Sequence, residues 1–315
     1  MKHYLIKKLS FPPFKPVLKI QVVGGSRPRV TVVHERTNQT FLLKFSRHNS
    51  REVFSELIAS KLAQIAKVRC QEVTIKEIPP NIIKVVKQHL GNKEELLPIA
   101  TLARNIFPKD YEITYGQRIV NTPSDSLTLE EIEKRIRARY YSPEDILDSF
   151  AEMIVFDAWI GNMDRHHENW GVSEHFTIRK GQRAIDPSVL VSKRHFSPLY
   201  DHGSSLLFEL SDDDIERYLG DRQQFKKRYI LGKKYTLIRD SAGEDKNIFE
   251  IIWSHIERNT EWGRRLQCLS IAAEIIKMPH HPLIDYSDKR RELLYYSLVT
   301  RQQILEGILD GEISF

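Results

Sequence analysis

The sequence predicts an α+β fold in two lobes, a small β-rich N-lobe over residues 1–88 and a larger helical C-lobe over 89–315. Two observations carry this. Short β-branched runs separated by turn residues crowd the first part of the chain, whereas long apolar repeats at helical spacing dominate after Gly91. A chain of 315 residues is also too long for one small core and fits two lobes sharing a cleft.

Taken in order, Leu18–Val23 and Arg29–Val33 are β-branched runs flanking Gly24-Gly25-Ser26, a strand, a flexible turn and a strand. Thr40–Phe45 is a third strand with Lys44 inside it. After Ser50, a candidate helix cap, Val53, Leu57, Ile58, Leu62 and Ile65 recur at helical spacing. A strand pair is expected at Glu72–Ile78 and Ile82–Val86, turning at Pro79-Pro80-Asn81, and it closes the N-lobe. The C-lobe opens with helices over Thr128–Arg139 and Pro143–Ile160, the second with Ser142 as cap. A loop-rich region follows from Gly161 to about Ser205, with a strand pair inside Gly171–Pro198. Ser211 followed by three aspartates marks a further helix start, and helical periodicity runs on to Leu309, broken at Pro279 and Pro282.

Composition narrows the function classes. The apolar share is 41% and the charged share 29%, and no stretch approaches the ~20 apolar residues of a membrane span. Net charge is +6, but the basic residues are interleaved with acids, which argues for a solvated surface or an anionic partner over a nucleic-acid face. Cys70 and Cys268 lack metal-ligand spacing and read as core thiols of a protein kept in a reducing cytoplasm.

Chemistry concentrates in Phe156–Val172, where an apolar helix ends at Gly161 and polar residues crowd after it. Asp164 and Asn169 have the D-x-x-x-x-N separation of a phosphoryl-transfer loop, in which the aspartate takes the proton of the attacking hydroxyl and the amide oxygen ligates magnesium. Leu199-Tyr200-Asp201-His202-Gly203 has the form of D-F-G with His for Phe, and supplies Asp201 as the second magnesium ligand. Lys44 stands where such enzymes place the strand lysine that contacts nucleotide phosphates. Glu56, preferred over Glu52, is its ion-pair partner on the following helix. Gly24, Gly25 and Ser26 are candidates to meet ATP phosphates through backbone amides, and Val85–Gln88, with Val86 and Gln88, to form the adenine hinge. His166 and His167 are expected to brace the loop rather than hold zinc.

Asp164-Arg-His-His-Glu-Asn-Trp170 together with Leu199-Tyr-Asp-His-Gly-Ser-Ser205 resembles the HipA-like serine/threonine kinases of bacteria, most clearly over residues 150–206. The resemblance implies a bilobal kinase-like fold and Mg2+-dependent transfer from ATP to a serine or threonine of a protein substrate. Asp164 is then the base, Asn169 and Asp201 the magnesium ligands, and Lys44 a phosphate contact. It further implies an antitoxin-type regulator as a partner and Ser26 as a site of self-phosphorylation, while the cysteine usage and composition point to a cytoplasmic place and leave delivery as a secreted effector open. Two other readings stand beside it, a small-molecule or phosphoinositide kinase on the same scaffold and a nucleotide-binding pseudokinase.

Overall fold

The structure, a computed structural model, describes residues 4–6, 14–21, 29–34, 37, 39–46, 50–89, 96–104, 111–121, 127–177, 191–239, 243–255 and 286–315. Strands β1 (Tyr4–Ile6), β2 (Phe14–Gln21), β3 (Arg29–His34), β4 (Thr40–Phe45), β5 (Val73–Glu77) and β6 (Ile99–Arg104) form one antiparallel sheet in the order β1-β2-β3-β4-β6-β5. Helix α1 (Arg51–Ile65) and helix α2 (Pro80–His89) flank it.

Strand period decides what each face receives. Leu43 and Phe45 pack with Ala100, Leu102 and the α2 residues Ile82 and Val86. Lys44, between them in sequence, therefore faces the other way, beside Thr101 of β6. On that side Ile99 joins the α1 residues Val53, Ile58 and Leu62 in the main core.

The expected strand at Ile82–Val86 is helix α2 instead. Pro79 O accepts from both Ile82 N and Ile83 N, so the prolines start a helix rather than turn a hairpin. Ile82 and Val86 are buried one turn apart while Lys84 and Gln88 are exposed. The partner of β5 is β6, so the first sheet extends past residue 88 to Arg104. The adenine-hinge reading of Val85–Gln88 is corrected with it. Val86 is a core residue of α2, Gln88 is on its exposed side, and both backbones belong to the helix.

The remaining elements are β7 (Tyr111–Tyr115), α3 (Gly116–Val120), α4 (Leu129–Arg139), α5 (Glu144–Ile160), β8 (Gly171–Thr177), β9 (Val191–Phe196), α6 (Asp212–Gly220), α7 (Arg222–Phe225), a π-turn (Lys226–Ile230), α8 (Ile248–His255) and α9 (Asp288–Leu309). Strands β7, β8 and β9 form a small antiparallel sheet. Thr128 and Ser211 both close capping boxes, with Glu131 and Asp214. Ser50 stands at the cap position of α1 without a side-chain capping bond, and Ser142 does not cap α5. Ser50 is already in helical conformation, and Ser142 takes a left-handed φ of 52°, leaving Pro143 at the cap position of α5. The buried residues Met153–Ile160 anchor α5 in the centre of the core. Among the described residues no helix is long and apolar enough to cross a membrane.

Candidate active site

Three elements converge on Lys44. From β4 its Nζ lies 3.0 Å from Glu56 Oε1 of α1 and 3.1 Å from Asp201 Oδ1 of the loop after β9. Lys44 and Glu56 are 3% and 2% exposed, so their charges stand in a low dielectric where breaking the pair is costly. Of the two candidate glutamates, Glu56 is the one that reaches Lys44, because it lies on the buried face of α1. Its second oxygen, Oε2, accepts from His202 N at 3.2 Å. One carboxylate thus ties the lysine strand to the Asp201 loop. Asp201 itself is in the left-handed region, φ 62°, a conformation that a non-glycine residue keeps only where its surroundings impose it.

Helix α5 ends on Gly161, φ 70°, where a Cβ would come 3.0 Å from Arg301 Cζ. The chain then enters the loop carrying Asp164 and Asn169. What holds this loop is Arg165, fully buried. Its Nε and Nη2 donate to the two oxygens of Asp157 at 2.8 and 2.7 Å, and its Nη1 donates to Asn169 O at 2.9 Å and Tyr200 O at 2.8 Å. A single guanidinium therefore spans α5, the Asp164 loop and the Asp201 loop, using the forked geometry that lysine lacks. Burial opposes its charge, but the facing Asp157 carboxylate outweighs that and raises its pKa above the ordinary value. Asn162 and Tyr235 also donate to Asp157, at 3.0 and 2.9 Å, so the buried acid is fully engaged.

His202 sits behind Asp201. Burial and then Arg165 lower its pKa to about 3, so the ring is neutral at pH 7. Arg165 is only a donor, so His202 Nδ1, 3.3 Å from Nη2, is the acceptor. The ring proton is thereby assigned to Nε2, which faces Cys70 Sγ at 3.5 Å. The Cys70 thiol is pushed up to about 12 by burial and by Glu56, and donates toward Gln71 O at 3.6 Å. It is a packing thiol, not a nucleophile. Cys268 lies outside the described residues.

Asp164 is exposed, and Ser204 Oγ donates to its Oδ2 at 3.2 Å. Asn169 is 6% exposed, and its Nδ2 donates to His166 Nε2 at 3.0 Å, directing the amide oxygen away from that histidine. His167 is buried edge-on to Trp170. Lys44 and Arg165 oppose the carboxylates Glu56, Asp157, Asp201 and Asp164, a surplus of negative charge that suits a cation. Among the described residues no group of three or more His, Cys, Asp or Glu gathers around a metal position. One carboxylate and one carboxamide make a hard-oxygen donor set of the kind magnesium takes together with substrate phosphates and water. Gly24, Gly25 and Ser26 lie outside the described residues.

Sequence reasoning missed Arg165, Asp157, Tyr235 and Ser204. Asp157 had a signal: a carboxylate inside the apolar run Met153–Ile160 must be paired if that helix is buried. Gly116 was also missed. At the start of α3 its N–H donates to Trp170 O at 2.9 Å, and a Cβ there would fall 2.3 Å from Trp170 Cε2 and 2.7 Å from His167 O. Gly116→Ala is expected to lose on the order of 1–3 kcal/mol in urea denaturation through overpacking behind the loop. An unchanged midpoint would show that the loop yields freely.

Together, the strand lysine, the helix glutamate, the two loops and the division into a β-rich and a helical part define a protein with a kinase-like fold. A solved neighbour agrees: the crystal structure of the Helicobacter pylori proinflammatory kinase CtkA is similar with a TM-score of 0.66, covering 90% of this chain and 93% of that one. Identity is 17%, so the likeness shows the fold alone. No family model and no curated protein sequence matches the chain.

Proposed function

We propose that the protein is a HipA-like serine/threonine protein kinase that transfers the γ-phosphoryl group of ATP to a protein hydroxyl with Mg2+. The observation that carries this reading is Lys44, buried and shared between Glu56 and Asp201 at 3.0 and 3.1 Å. A buried amine so placed can bind phosphate oxygens while its two acids hold it aimed.

In this reading Asp164 accepts the proton of the attacking hydroxyl, being the one carboxylate of the cluster that is exposed to an incoming acceptor. Ser204 holds one oxygen of that carboxylate, leaving the other for the acceptor. Asn169 and Asp201 would hold Mg2+, which when bound neutralises phosphate charge during transfer. Arg165 keeps the two loops in mutual register. Bond exchange at phosphorus needs little covalent help, so positioning and charge supply most of the rate.

The metal assignment is tested by thermal denaturation with Mg-ATP. Wild type is expected to melt higher when the ligand is present, and Asp201→Ala to lose that shift while still unfolding cooperatively without ligand. A shift in Asp201→Ala as large as wild type's would remove Asp201 from the metal site.

A further inference from the structure

We infer that the surface formed by the π-turn and the segment after it docks an acidic stretch of the protein acceptor beside Asp164, an inference that rests on the kinase reading and names its substrate class. Between Arg222 and Arg239 the chain carries Lys226, Lys227, Arg228, Lys233 and Lys234 and no Asp or Glu. Three cations of this stretch are already paired: Arg222 with Glu292, Lys233 with Glu209 and Arg239 with Asp245. Lys227, Arg228 and Lys234 are exposed and enter no ion pair among the described residues. Of the neighbouring acids of α6, Asp212 is engaged by Arg290, Asp214 by Arg217 and Glu216 by Lys289, which leaves exposed Asp213 as the one acid of that helix without an ion pair among the described residues.

The segment is built against the Asp164 loop. Thr236 Oγ1 donates to Met163 O at 2.9 Å and stands 3.1 Å from Arg165 O, the residues on either side of Asp164. Thr236 N donates to Met163 O as well. Tyr235 puts its hydroxyl on buried Asp157. Exposed Lys234 precedes Thr236 by two residues, which keeps it close to the loop that carries Asp164.

The arrangement is also rigid. Buried Asn247 commits its amide to Ile230 O, Leu231 O and Lys233 O, at 3.0, 2.9 and 2.9 Å. Gly232 lets the chain close on the turn, since a Cβ there would be 2.6 Å from Arg228 O. A buried carboxamide and a close-approach glycine are more than a merely solvated run of lysines requires. π-turns of this kind recur at functional sites. Cations that are unpaired among the described residues, on a segment that Thr236 ties to the Asp164 loop, favour an acceptor whose phosphorylatable residue is flanked by Asp or Glu.

The test is fluorescence anisotropy with three labelled serine peptides whose flanking residues are Glu and Asp, Gln and Asn, or Lys, run at low and high salt. Wild-type protein is expected to bind the acidic peptide about tenfold or more tightly than the neutral one, with the difference shrinking at high salt. Lys227→Glu/Arg228→Glu/Lys234→Glu should abolish the preference and favour the Lys peptide, while keeping the wild-type thermal shift with Mg-ATP; Lys234→Gln alone should reduce the preference if the triple variant misfolds. Equal binding of acidic and neutral peptides overturns the inference. So does a preference that survives these substitutions, or binding only to phosphatidylcholine vesicles containing a phosphoinositide. Binding is read without transfer, so a protein that takes the acidic peptide yet transfers no phosphate to any of the three refutes the kinase reading and leaves the docking surface standing.

Discussion

An Asp164→Asn protein is expected to bind Mg-ATP like wild type and to transfer its phosphate about 100- to 10,000-fold more slowly, the range that a general base contributes. The substitution is nearly isosteric. The carboxamide oxygen can still accept from Ser204, which lies 3.2 Å from Asp164 Oδ2. Lys44, Glu56 and Asp201, the groups nearest to bound phosphates in the proposed mechanism, are bonded to one another and not to Asp164. The expected signature is thus a fall in kcat with a normal thermal shift, the mark of an interaction made on the reacting hydroxyl rather than on the nucleotide. Transfer to a serine peptide at the wild-type rate would take the base role away from Asp164.

Arg165→Met is expected to have the largest effect on stability, a loss of about 3–5 kcal/mol in urea denaturation, because truncating one partner strands the other charge in the core. Asp157, at 0% exposure, would keep only Asn162 and Tyr235 as donors. Asn169 O and Tyr200 O would lose the guanidinium that joins them. Adding Asp157→Leu should recover part of the stability, since an apolar pair can replace a buried ion pair at little cost. Transfer should stay low in the double variant, because the Asp164 and Asp201 loops remain untied. Recovery of both properties together would show that Arg165 serves the core alone.

Much of this site was legible in one dimension because its polar groups come in short, ordered runs. Asp164, Asn169 and Asp201 are each marked by neighbours within a few residues, and Lys44 by a strand period that isolates a lysine among Leu43 and Phe45. Glu56 was separable from Glu52 because apolar neighbours on α1 define its buried face. The second half of the first sheet was not legible. Ile82-Ile83-Lys84-Val85-Val86 carries β-branched residues that suit a strand, and the prolines before it suit both a hairpin turn and a helix start. Packing of Ile82 and Val86 against Leu43 and Phe45 resolved it as a helix, a tertiary choice outweighing local propensity.

The sequence by itself determined which chemical groups are present and their order: a lysine strand, an acidic helix, a loop with Asp164 and Asn169, and Asp201 some thirty residues further on. Those follow from periodicity and spacing along one stretch of chain. Only the tertiary structure decided that Glu56 divides its two oxygens between Lys44 and the backbone of His202 across 146 residues, and that Thr236 anchors a basic segment beside Asp164. It also decided that Arg165, which the sequence did not single out, is the buried tie between Asp157, Asn169 and Tyr200. The reason is physical. A charge's partners are set by where burial removes water, and burial depends on elements that meet from distant parts of the chain.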